Sequence, residues 1–182
     1  MVHAWYGRMS AFCMAAALAN GAAVAATQGT LGATSTGSIS IGASVPNRVQ
    51  LSGLSDVSFA NQDPATAALN AQNVCVWSNT TTKGYNVTAT GSGAGSAFTL
   101  ANGALTVPYS VEWAGSSGQS SGTALTSGSS LTGLTSAATN ATCSAGVSSS
   151  ASLIVRIAAA NLQGMQAATA YNGTLTLVVA PE

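Results

Sequence analysis

Charge is nearly absent from this chain: Asp, Glu, Lys and Arg make up 4% of the residues and cancel to a formal net charge of zero. Without a basic patch there is nothing to neutralise phosphates, which excludes nucleic-acid binding. Disordered chains combine low hydrophobicity with high net charge; here hydrophobic residues reach 47%, so the chain is expected to fold. Histidine is missing after His3, which excludes a Ser-His-Asp or Cys-His centre and removes the commonest zinc ligand. The acids beyond the first 25 residues, Asp56, Asp63, Glu112 and Glu182, stand far apart. They read as solvated surface groups rather than a carboxylate pair for glycoside hydrolysis. No Gly-rich phosphate loop joins a strand to a helix, and Gly91-Ser-Gly-Ala-Gly95 reads as a hairpin turn. No enzyme activity, metal or cofactor is therefore expected.

Long apolar runs are also lacking. The longest early one, Met9 to Ala19, is too short to span a bilayer. It follows the positive charge of Arg8 and precedes the small-x-small site Ala23-Val24-Ala25, so residues 1–25 read as a secretory signal. No later stretch approaches the length of a membrane-spanning helix. Removal of the signal takes Cys13 with it and leaves Cys75 and Cys143, an even number in an oxidising compartment, which argues for one disulfide. The plain alternative is two buried free thiols.

What the chain has in abundance is period two. From Thr27 to Val45 the odd positions collect the large apolar groups at the end, in Gly37-Ser-Ile-Ser-Ile-Gly-Ala-Ser-Val45, before Pro46 and Asn47 break the run. Val49 and Leu51 resume it, and 53–64 reads as a loop. Val74 to Trp77 and Tyr85 to Ala89 are expected to form a hairpin across the polar loop 79–84, with Cys75 and Trp77 on one face. Leu105, Val107, Tyr109, Val111 and Trp113 make one apolar stripe, edge or bulged at Pro108, which cannot donate to a ladder. Short strands are expected near Ala124, Leu131–Leu134 and Cys143, a further strand at Leu153, Val155 and Ile157, and a helical turn within 158–169. Tyr171, Gly173, Leu175, Leu177 and Val179 mark the last strand. Seven or more short strands with polar turns predict an all-β, immunoglobulin-like antiparallel sandwich. Trp77, Trp113 and Tyr109 are read as core aromatics rather than a sugar-stacking platform. The sequons at Asn79, Asn86, Asn140 and Asn172 matter only in a eukaryotic secretory pathway.

The segment Ser38-Ile-Ser-Ile-Gly-Ala-Ser-Val45, then Pro46 and Val49-Gln-Leu51, is similar to the donor strand and first core strand of α-type chaperone–usher pilins. Tyr171-Asn-Gly-Thr-Leu-Thr-Leu-Val-Val179 resembles the closing strand of that group and of the archaic fimbrial group that includes spore coat protein U domains. Cys75 departs from both, since α-type subunits usually lack a disulfide and archaic ones carry a cysteine sooner after the donor strand. The resemblance implies a signal at 1–25, a donor extension at 26–46 and a pilin domain at 47–182, the sandwich being incomplete and completed by donor-strand exchange. Ile39, Ile41, Ala43 and Val45 would enter a neighbour's groove, flanked by Tyr171, Leu175, Leu177 and Val179 of the last strand. Implied partners are identical or related subunits, a periplasmic chaperone and an outer-membrane usher. The implied location is a surface fimbria serving adhesion or biofilm. The leading rival is a secreted carbohydrate-binding sandwich whose first strand pairs within its own domain; a secreted hydrolase is the weakest reading, for want of histidine and acids.

Overall fold

The computed structural model describes residues 25–182, so the expected signal lies, up to Val24, outside the described residues. The chain divides into a unit ending at Val45 and a second from Pro46 to Glu182.

In the first unit one antiparallel bridge joins Thr27 and Ser38, each N–H donating to the other's carbonyl at 2.9 Å. The segment after it runs without ladder partners, and its large side chains are exposed: Ile39 73%, Ile41 88% and Val45 81%.

The second unit is an all-β sandwich. Its larger sheet is antiparallel throughout and sets β1 (Val49–Ser52) beside β2 (Ala68–Ser78), then β9 (Ala151–Ile157), β6 (Ser110–Ala114) and β7 (Thr123–Ala124). The smaller sheet has β3 (Gly84–Gly91) in the centre, flanked by β10 (Leu175–Pro181) and β8 (Ser130–Thr135). A separate hairpin pairs β4 (Thr99–Asn102) with β5 (Leu105–Pro108), and α1 (Ala159–Gln163) is a single short helix.

Side chains from both sheets alternate into one core that includes Val74 and Val76 of β2, Tyr85, Val87 and Ala89 of β3, Val111 and Trp113 of β6, and Leu153, Val155 and Ile157 of β9. This is the period-two pattern at work, each strand sending every second residue inward. The indole of Trp113 donates to the Tyr85 hydroxyl at 3.2 Å and the rings meet edge to face, so the most polar atoms of this core satisfy each other. Burial pushes the Tyr85 phenol above its ordinary 10.0, a rise partly offset by the Trp113 bond, and burial alone does the same for Tyr109.

Three expectations need correcting, the simplest being the strand near Cys143, where the chain runs in turns and bends between β8 and β9. Val74–Trp77 and Tyr85–Ala89 are not a hairpin. Both edges of β2 are occupied, by β1 and β9, and both edges of β3 by β10 and β8, so the turn between them carries the chain from one sheet to the other. Ser78 helps make that corner by donating its hydroxyl to the Gly84 carbonyl at 2.8 Å. Nor does Trp77 belong to the main core. Cys75 and Trp77 do share a face, but it is the one turned away from Val74 and Val76, where Ala138 and the Cys75–Cys143 disulfide form a small second cluster. The bond ties residues 68 apart in sequence and, from chain entropy, is worth about 4 kcal/mol.

The stripe is buried from Val107 to Trp113, with Leu105 exposed at its head, and it is not continuous in pairing. At Tyr109 it leaves the small hairpin and joins the larger sheet, with Pro108 the last residue of β5. In β8 an extra residue shifts register opposite Tyr85 and Val87, accommodated by Gly133 at φ 73°.

Candidate functional site

The last strand is an edge strand of the smaller sheet. β10 pairs with β3 along one edge, from Leu175↔Gly91 to Pro181↔Tyr85, and has no strand on its other edge among the described residues. Alternate N–H and C=O groups along that edge are therefore open to a further strand.

Beside this edge lies a groove of about 1180 Å³. Its floor is Leu153, Val155 and Ile157 of β9, the inward face of the most buried strand. One wall is Leu175 and Leu177 of β10 with Tyr171; the other is the irregular segment after β1, carrying Leu54, Val57 and Phe59. Leu162 of α1 and Met165 just beyond it close one end, with Leu100 of β4. Charge is almost absent here, Asp56 being the one Asp, Glu, Lys, Arg or His among the lining residues.

Local bonds hold both walls. Gln72 of β2 clamps the irregular segment: its amide oxygen accepts from Ser55 N–H at 2.8 Å and its amide nitrogen donates to the Ser55 carbonyl at 3.1 Å. On the opposite wall, Asn172 and Ala101 exchange backbone bonds at 2.8 and 2.9 Å, and Asn102 donates to the Ala170 carbonyl at 2.7 Å. Tyr171 accepts from the backbone N–H of Gln166 at 3.1 Å, anchoring the loop that precedes β10.

Of the last-strand residues singled out from sequence, Tyr171, Leu175 and Leu177 line this groove. Val179 is half-buried and packs against the main core instead. Ile39, Ile41, Ala43 and Val45 lie exposed in the first unit. The segment 53–64 carries one wall, although it reads in sequence only as a loop; the spacing of Leu54, Val57 and Phe59 fits neither period two nor a helix. Gln72, a polar residue in mid-strand, was the other sequence signal, since its side chain points inward with Val74.

The acids are dispersed. Glu112 pairs with Arg156 at 3.1 Å and accepts from Gly122 N–H, Glu182 accepts from Gly133 N–H at 2.7 Å, and Asp63 caps its own turn at Ala65. Among the described residues no three His, Cys, Asp or Glu side chains gather as a metal site would require, and no helix is long and apolar enough to cross a membrane.

No family model matches this chain, and no curated protein does either.

Proposed function

We propose that this protein is a structural subunit of an exported surface fibre, in which residues 37–45 of one copy complete the sandwich of the next. The observation that carries the reading is a groove with an apolar floor and a single carboxylate, Asp56, in its lining, beside the unpaired edge of β10. An exposed edge over an apolar cleft is an aggregation hazard unless something covers it, and strand addition covers both at once.

The chain's own segment 37–45 has the chemistry for that role. It has no charge, presents Ile39, Ile41, Ala43 and Val45 on one side and small polar groups on the other, and its large side chains are exposed. Nine extended residues reach roughly 30 Å, longer than the roughly 23 Å of the seven-residue β10. Burial of the two isoleucines and Val45 would contribute at most roughly 1.5–3 kcal/mol each. Each copy gives a strand at one surface and receives one at another, a heterologous contact that propagates as an open filament. Before assembly the same edge would need a periplasmic chaperone, and an outer-membrane usher would order the exchange. Sparse charge and the disulfide suit a packed polymer outside the cell, serving adhesion or biofilm.

The test is Ile39→Asp with Ile41→Asp, which puts two charges into the groove of the receiving copy. The variant is expected to be exported and folded yet to form no fibres by sedimentation or electron microscopy. A wild-type protein that stays monomeric at every concentration would overturn the proposal, as would fibres from the double variant.

A further inference from the structure

Beyond residue 24 the sequence contains a single methionine, Met165, the others being Met1, Met9 and Met14. Cys75 and Cys143 are already joined, so Met165 carries the one reduced sulfur in the described residues. It is half-buried, packs against the main core and lines the groove beside Leu162 and Tyr171. We propose that Met165 is an oxidative modification site at which peroxides or hypohalous acids switch off strand acceptance. The inference rests on the assembly reading above and names a regulation of that same groove.

The chemistry is a two-electron oxygen transfer. The Met165 sulfur attacks the terminal oxygen of a peroxide, the O–O bond breaks, an S–O bond forms, and the peroxide is reduced to water or an alcohol; with a hypohalous acid the leaving group is halide. The product is a methionine sulfoxide, reversible by a sulfoxide reductase. A flexible apolar side chain becomes a polar one with a strong acceptor oxygen. In an open groove that oxygen is hydrated. Under an inserted apolar strand it would lose its water, and among Leu162, Tyr171, Leu175 and Leu177 only the Tyr171 O–H could replace one of those bonds, the hydroxyl oxygen already accepting from Gln166 N–H. Oxidation therefore penalises the filled groove more than the empty one. It leaves the fold in place, because Met165 is half-buried and not among the fully buried side chains of the core.

The experiment uses the exported full chain, treated or not with hydrogen peroxide, with a fluorescent peptide of residues 37–45 as the probe. Peptide mapping is expected to find one added oxygen on Met165 in the native protein, and peptide affinity to fall about tenfold with the melting temperature little changed. Met165→Leu is expected to keep full affinity after the same treatment, and Met165→Gln to bind weakly without any oxidant. Equal capture before and after complete oxidation, or a Met165 that reacts only once the chain is unfolded, overturns this inference alone. An untreated protein that captures no peptide overturns the assembly reading and this inference with it.

Discussion

Two stretches of this chain are written in nearly the same hand. Ser38-Ile-Ser-Ile-Gly-Ala-Ser-Val45 and Thr174-Leu-Thr-Leu-Val-Val-Ala180 both alternate apolar with small polar residues, and neither contains a charge. The second is β10, paired with β3 along its length, with Leu175, Leu177 and Val179 packed against the core. The first has no ladder after Ser38, and its isoleucines are open to solvent. Alternation says that a segment suits the edge of a sheet with one face buried; it does not say which sheet supplies the edge.

If the two stretches differ as the structure has them, the sandwich from Pro46 to Glu182 should carry all of the measurable stability. The largest effect is expected from Cys75→Ser with Cys143→Ser, which should lower unfolding free energy by about 4 kcal/mol in denaturant titration. A loss of under about 1 kcal/mol would show that the second cluster on β2 is held by packing alone.

Shaving the paired strand comes next. Leu175→Ala with Leu177→Ala removes two half-buried side chains from one wall of the groove and should cost roughly 3 kcal/mol, read from the denaturation midpoint. Tyr85→Phe is a smaller and more local cut. It leaves the buried Trp113 indole N–H without its acceptor, for about 1–2 kcal/mol, with a change in near-ultraviolet circular dichroism.

Alkaline pH should act through the same buried phenols. Their folded-state ionisation is raised by burial, so the native protein holds those protons after the unfolded chain has released its own. Their stabilisation is whole below the unfolded value of 10.0 and is lost as pH rises from there through the raised folded values. Stability measured against pH should stay level up to that point and decline beyond it.

The smallest effect on stability should come from the other stretch. Ile39→Asp with Ile41→Asp, the pair proposed to stop fibre growth, is expected to leave the melting temperature of the isolated subunit within error, because both side chains are exposed. A drop of several degrees would mean that these residues belong to the subunit's own core, and the contrast with β10 would be lost.

Much of the architecture was open to reading from the residues in order. Alternation grouped Val107, Tyr109, Val111 and Trp113 on one stripe and Leu153, Val155 and Ile157 on another, and the structure has each of them buried, while Leu105 at the head of the first stripe is exposed. The expected pairing of Cys75 with Cys143 is the disulfide observed. These features depend on period and count, which are local properties of the chain.

Partnership is not local, and there the sequence ran out. Nothing near 79–84 distinguishes a hairpin turn from a corner between sheets; the outcome depends on β9 and β10, each far along the chain, taking the edges that β2 and β3 would have shared. Trp77 looked like a core residue by type, yet β2 is covered on both faces, and strict alternation with Val76 sends Trp77 to the disulfide side. The groove is the extreme case. Its floor, its two walls and its closed end come from β9, β10, the irregular segment after β1, and α1, four pieces without a shared motif. The sequence by itself determined most of the strands, the alternation along them and the two cysteines that join. Only the tertiary structure decided which edges met and which stayed open, because backbone hydrogen bonds are alike at every residue and the choice among them is made by long-range packing.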